Sequence, residues 1–251
     1  MEEIILVIAR AISMYWLSIT VGVALATWLA LRRRRADRFH TSKKEVFFTT
    51  LCCIAGAVVG AKALQLMGFI IRGGGTPGFW TLENWLWMMT GFGVFFGGLI
   101  GGFFAALIYI RRRKLDFRDI TDILVPSVLL FHAFGRIGCF FAGCCHGHVA
   151  DWGFALNSDV PLIPVQLFEA GFNFLVLIAL LVIRPERKRP GVLLPIYLMV
   201  YAVGRFVLEF FRGDMGRGVF LLSTSQWISL LVFPAGLLLW RWITKRQNSQ
   251  T

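Results

Sequence analysis

Ionisable side chains stand inside otherwise apolar stretches of this 251-residue chain, and they are the residues with chemistry to offer. His132 and Arg136 lie in Phe131-His132-Ala133-Phe134-Gly135-Arg136-Ile137-Gly138. A spacing of four places both on one face of a helix. Arg205 and Glu209 repeat that spacing in Gly204-Arg205-Phe206-Val207-Leu208-Glu209-Phe210-Phe211-Arg212, with Arg212 one turn beyond. Lys62 stands in Val58-Val59-Gly60-Ala61-Lys62, and Gln166 and Glu169 open a further apolar block. Such groups at membrane depth cost roughly 3 kcal/mol or more and line a bundle interior or a cavity. One reading is a buried ion-pair network that fixes helix register. Two arginines on separate helices exceed what a simple pair needs. A guanidinium presents a planar fork that suits phosphate, so Arg136 and Arg205 converging would hold a phospholipid headgroup. Snorkelling to the interface is a second reading for Arg212 and Arg217.

The elements that must position these groups are membrane-spanning helices. Hydrophobic residues make up 57% of the chain and fall in long blocks. An apolar run of about 20 residues crosses the hydrocarbon core as a helix, whereas outer-membrane barrel strands alternate over about 10 residues. The chain alternates nowhere for long. The fold class is all-α, a polytopic membrane protein and a single domain over 1–251, with seven spans at roughly 5–31, 46–68, 88–110, 121–142, 165–183, 191–211 and 223–243. The formal net charge of +12 would point to nucleic acid in a soluble protein. Position decides otherwise. The segments Arg32 to Lys44, Arg111 to Arg118, Arg184 to Arg189 and Arg241 to Arg246 hold seven, five, four and three Lys or Arg. All four fall on one side of the seven-span arrangement, so the N-terminus is expected outside and the C-terminus in the cytoplasm. Nucleic acid is not an expected partner; the bilayer is. The start, Met1-Glu2-Glu3-Ile4, lacks the basic n-region of a secretory signal, so the first helix is expected to persist.

Two further clusters leave their readings open. Gly91 to Gly102 is glycine-rich, which suits close helix packing or the approach of backbone to a lipid headgroup, with packing the default. Cys139-Phe140-Phe141-Ala142-Gly143-Cys144-Cys145-His146-Gly147-His148 holds three of the five cysteines. Metal ligation, a disulfide and a reactive thiolate beside Arg136 are all conceivable chemistries there. The spacing matches no zinc finger, so a loop shaped by small residues is the default and no metal is assigned.

The motifs taken together resemble prolipoprotein diacylglyceryl transferase, nearly end to end. Gly135-Arg136-Ile137-Gly138-Cys139-Phe140 resembles the family signature G-R-I-G-N-F, and Phe96-Gly97-Gly98-Leu99-Ile100-Gly101 its H-G-G-L-x-G stretch. Pro164-Val165-Gln166-Leu167-Phe168-Glu169 is similar to P-x-Q-L-Y-E. Tyr201-Ala202-Val203-Gly204-Arg205-Phe206-Val207-Leu208-Glu209-Phe210-Phe211-Arg212 is similar to Y-G-x-x-R-F-x-x-E-x-x-R. Tyr15 stands where the family has a tyrosine in its first helix, and Gly60-Ala61-Lys62 resembles a G-x-R stretch in the second.

The resemblance implies a seven-helix bundle in the bacterial inner membrane. It implies transfer of the diacylglyceryl group of phosphatidylglycerol to the lipobox cysteine thiol of a prolipoprotein signal peptide, with release of glycerol-1-phosphate and no metal or organic cofactor. Catalytic roles then fall to Arg136, Arg205, Glu209 and His132. Substrate contacts fall to Tyr15, Lys62, Gly97, Gly98, Gly138, Gln166, Glu169 and Arg212. Three positions depart from the family pattern: Phe96 replaces the histidine before G-G-L, Cys139 the asparagine of G-N-F, and Cys144 the glutamate of G-E-L. His132, one turn from Arg136, is the residue placed to stand in for a lost base. The departures also raise an alternative, a non-catalytic or lipid-transporting paralogue that keeps the phospholipid site, or a transferase with a different acceptor.

Overall fold

In hydrocarbon every backbone N–H and C=O must find its partner inside the segment, so long apolar blocks fold as helices. The computed structural model describes residues 2–34, 39, 41–73, 81, 95–155, 160–187, 189–213, 218–219 and 221–248. Its helices are α1 (Glu2–Arg33), α2 (Lys43–Gly73), α3 (Phe95–Arg112), α4 (Phe117–Phe141), α5 (Val165–Ile183), α6 (Leu193–Leu208) and α7 (Thr224–Asn248). Among the described residues, six stretches are long and apolar enough to cross a membrane: Ser13–Arg33, Lys43–Ile71, Phe117–Phe141, Val165–Arg187, Leu193–Phe211 and Thr224–Lys245. The expected third span starts at 88; its first residues lie outside the described set. Large apolar side chains on these helices stand open, among them Ile71 at 76% and Val182 at 75% exposure. Faces of that kind suit lipid rather than water.

Short β segments appear where the sequence suggests only connections. β1 (Val149–Phe154) bridges to Leu162 at Val149 and Phe154, and β2 (Gly218–Val219) pairs antiparallel with β3 (Leu222–Ser223) just before α7. These pairings satisfy the backbone of segments that leave the helices.

The chain forms two units, Thr41–Phe117 and the remainder. In the first, α2 and α3 pack backbone to backbone through small residues. A Cβ on Gly60 would run into the Gly97 carbonyl, and one on Gly101 into the Gly56 carbonyl. Gly98 faces the Ala57 carbonyl, and Gly102 that of Cys53. The pattern Gly56-x-x-x-Gly60 against Gly97-x-x-x-Gly101 is small-residue packing of the membrane type. Gly97 and Gly98, expected at the headgroup, are used by this unit to seat one helix on the other. Glu45 closes its end, accepting from Tyr109 Oη and Arg113 Nη2 at 2.7 Å each.

The second unit holds α1 and α4 to α7. Its core gathers Leu29, Val125, Leu129, Leu177, Leu180, Leu193 and Tyr197. Pro126 lies inside α4 and has no N–H to donate to the carbonyl of Asp122. Arg33 Nη2 donates to that carbonyl at 3.2 Å and to Glu186 Oε1 at 2.9 Å. The Asp122 carboxylate, fully buried, accepts from the Gly191 N–H at 2.6 Å and the Leu193 N–H at 3.1 Å. It thereby satisfies donors at the start of α6. Gly191 has φ +87, a conformation that favours glycine.

Candidate active site

Three helices bring charge to one place in the second unit. The C-terminal half of α4 carries His132 and Arg136, and the first two turns of α5, entered through Pro164, carry Gln166 and Glu169. The end of α6 carries Tyr201, Arg205 and Glu209 at successive intervals of four, which is one stripe of its surface. There α6 tightens into a 3-10 turn, Glu209–Phe211, and the chain extends at Arg212, whose N–H donates to the Glu209 carbonyl at 3.2 Å. The tightening keeps Arg212 beside Glu209: Nε lies 3.9 Å from Oε2.

Glu169 is the centre. It is 1% exposed, and both arginines reach it. Arg136 Nη2 lies 3.0 Å from Oε1, and Arg205 Nη1 lies 3.6 Å from Oε2. Tyr201 Oη donates to Oε1 at 3.4 Å, and His132 Nε2 is 3.5 Å from the same oxygen. Arg205 Nη2 pairs with Glu209 Oε2 at 2.6 Å and donates to Ser225 Oγ, at the start of α7, at 3.1 Å. Glu209 therefore orients Arg205. Nη1 of Arg205, buried, makes no hydrogen bond among the described residues. The two guanidiniums thus share the Glu169 carboxylate, although the closest mate of Arg205 is Glu209.

Among the described residues, three guanidiniums (Arg136, Arg205, Arg212) and two carboxylates (Glu169, Glu209) meet here beside His132, all within 11% side-chain exposure. The guanidinium forks suit the oxygens of a phosphodiester. His132 Nε2 also lies 3.4 Å from Arg136 Nε. A neutral ring that accepts there keeps its proton on Nδ1.

The other expected site residues are placed as follows. Gln166 Nε2 donates to the Cys144 carbonyl at 2.6 Å, so it holds the loop rather than pointing at the arginines. Gly138 abuts α1: a Cβ there would sit 3.2 Å from Tyr15 Cδ2 and 3.3 Å from Ser18 Cβ. Tyr15 and Gly138 therefore touch each other two residues beyond Arg136 along α4. Lys62 belongs to the Thr41–Phe117 unit, where Nζ donates to Gln65 Oε1 at 3.3 Å. The loop after α4 is stitched across the end of α6. Gly147 N–H donates to the Ile163 carbonyl at 2.8 Å, His148 N–H to Phe211 at 3.2 Å and Gly213 N–H to His146 at 3.2 Å. Gly147 has no room for a side chain, since a Cβ would meet the Phe211 carbonyl at 2.5 Å.

Two contributors were not singled out from sequence. Tyr201 was visible as the first member of the Tyr201, Arg205, Glu209 stripe, four residues ahead of the first charge. Ser225 gives no local signal, because only the path of α7 brings it to Arg205.

Comparison with known proteins agrees with this arrangement. The family model for prolipoprotein diacylglyceryl transferase matches residues 3–242. The chain is 31% identical over 237 residues to phosphatidylglycerol–prolipoprotein diacylglyceryl transferase 2 of Clostridium perfringens, covering 90% of this chain and 89% of that one. It is 32% identical to the phosphatidylglycerol–prolipoprotein diacylglyceryl transferase of Clostridium tetani (89% and 90% covered) and 29% identical to that of Enterococcus faecalis (94% and 88%). A multi-pass helical chain with this buried arginine–carboxylate cluster, matched over almost its whole length, belongs to the prolipoprotein diacylglyceryl transferase family.

Proposed function

We propose that the chain transfers the diacylglyceryl group of phosphatidylglycerol to the thiol of a lipobox cysteine in a prolipoprotein signal peptide, with glycerol-1-phosphate as the leaving group. The observation that carries the reading is the convergence of Arg136 and Arg205 on the buried Glu169. In the reaction the sulfur attacks the diacylglyceryl carbon that bears the phosphate ester. An S–C bond forms, the C–O bond breaks, and the oxygen keeps the electron pair. A phosphodiester monoanion becomes a phosphomonoester dianion. Fixed cations beside that oxygen stabilise the charge as it develops, which is where electrostatic catalysis acts.

In this reading Arg136 and Nη1 of Arg205 hold the phosphate, Glu209 orients Arg205, and Glu169 pairs with both guanidiniums until the lipid binds. His132 takes the thiol proton. Tyr15 hydrogen-bonds the lipid, and Arg212 adds positive potential. The chain acts as one domain with seven spans in the bacterial inner membrane, N-terminus outside and C-terminus cytoplasmic. In that orientation the Arg136 end of α4 lies on the outer side, where the secreted precursor arrives.

The test is rescue. The resident transferase is depleted in a bacterial host, this chain is expressed, and a lipoprotein precursor is followed by labelled fatty acid and gel shift. Rescue by the natural sequence that vanishes with Arg136→Ala supports the proposal. A membrane-inserted, folded chain that never lipidates the precursor refutes it.

A further inference from the structure

Three thiols meet where α4 gives way to its loop. The Sγ atoms of Cys139, Cys144 and Cys145 all lie within 4.8 Å of one another. The backbone builds this meeting. Ala142 N–H donates to the Gly138 carbonyl at 2.9 Å, Gly143 N–H to Phe140 at 3.1 Å and Cys144 N–H to Cys139 at 3.2 Å. Gly143 and Cys145 take φ +68 and +63, so the chain turns back on the helix end and lays both later thiols over Cys139. A left-handed cysteine is uncommon and costs energy that the surrounding contacts must hold in place. Those contacts are present: Gln166 grips the Cys144 carbonyl, and Gly147 is tied to Ile163. The thiols are therefore gathered before any ligand arrives, which removes most of the ordering cost of binding one.

The donor set selects its ligand. Three sulfurs with no carboxylate among them suit thiophilic cations and reject magnesium or calcium. Sulfurs about 2.3 Å from a tetrahedral zinc stand about 3.8 Å apart, which small side-chain rotations reach from the spacing present. A dication with three thiolates carries one negative charge. Arg136 lies one turn back along α4, and the backbone of Arg212 pairs with Gly147, two residues past Cys145. Three protein ligands leave the fourth tetrahedral position open, as zinc sites that act on substrates do.

We propose that Cys139, Cys144 and Cys145 form a three-thiolate site for a thiophilic cation of the zinc class, with one coordination position open. This departs from the default reading of the cysteines as loop shapers, which had only their spacing in sequence to work from. The site takes no part in the proposed chemistry of lipid transfer, and its test does not use that reaction.

Full-length protein, reduced and purified in detergent, is titrated with zinc and with cadmium. The expected result is one cation per chain, a sulfur-to-cadmium charge-transfer band with the intensity of three thiolates, and zinc protection of Cys139, Cys144 and Cys145 from maleimide while Cys52 stays reactive. Cys139→Ser, Cys144→Ser and Cys145→Ser each weaken cadmium binding by more than about tenfold. Should a serine variant fail to fold, the protection pattern of the natural sequence decides alone. The proposal is overturned by absence of the band or by zinc protection that spares these three cysteines.

Discussion

Replacing Glu169 by Gln keeps the shape of a buried side chain and removes one charge from the centre of the cluster. Arg136 loses its carboxylate at 3.0 Å, while Arg205 keeps Glu209 at 2.6 Å, so most of the cost falls on Arg136. Removing one side of a buried pair costs about 3–5 kcal/mol. Three guanidiniums then face one carboxylate. Arg136→Met has the converse defect, since Glu169 is left with Arg205 at 3.6 Å as its nearest guanidinium. The double variant Arg136→Met with Glu169→Gln removes both charges together, so neither partner is left buried without the other. Its stability loss is therefore expected to fall short of the summed single losses by about 2 kcal/mol or more, within the range seen for coupled neighbours. Transfer behaves differently. Arg136→Met and the double variant both lose the phosphate donor, so both drop by about a hundredfold or more. Thermal unfolding in detergent, followed by tryptophan fluorescence, reads the first quantity; label transfer from phosphatidylglycerol to a precursor reads the second. Additive stability losses refute the shared carboxylate. Near-natural transfer in the double variant refutes the clamp.

Other outcomes follow from single contacts. Asp122→Ala leaves the buried Gly191 and Leu193 N–H groups without their acceptor and is expected to cost about 2–4 kcal/mol in unfolding measurements, with transfer per folded molecule unchanged. Gly60→Val drives a side chain into the Gly97 carbonyl and is expected to destabilise by about 1–3 kcal/mol, whereas Gly68→Ala, with open space around it, is expected to be neutral in the same melt. If His132 takes the thiol proton, His132→Ala slows transfer by about a hundredfold or more, and the deficit narrows as rising pH ionises the acceptor thiol without help. An unchanged rate removes His132 from the chemistry.

What could be read from the sequence was local. The spacing of His132 to Arg136 and of Arg205 to Glu209 follows from helix period alone, and each pair is found on one helix face. The apolar blocks announced helices, because nothing else satisfies a backbone in lipid. What could not be read was which faces meet. Glu169 stood in the sequence as one polar residue near a helix start, equal in weight to Gln166 three positions earlier. Packing of α5 between α4 and α6 made the first the hub of four side chains and turned the second toward the Cys144 carbonyl. Asp122 was hidden for a related reason. Its acceptors serve a helix start some seventy residues on, and no window of sequence holds both partners.

The cysteines make the same point in reverse. Their separation along the chain gives no metal pattern, because the spacing of a zinc finger encodes one particular turn and this loop uses another. Two left-handed residues, Gly143 and Cys145, fold a five-residue gap into contact distance. The substitutions that look like losses of polar family contacts at 139 and 144 are thus the positions that create a soft donor set beside Arg136. A cation held there would fix the end of the helix that presents Arg136, and the thiol cluster and the phosphate clamp would then share one structural support. The double variant described above probes that support from the arginine side: it leaves all three thiols in place, so cadmium binding should persist when transfer is gone. Loss of both together would mean that the cysteine turn depends on the Arg136–Glu169 contact rather than on its own backbone bonds.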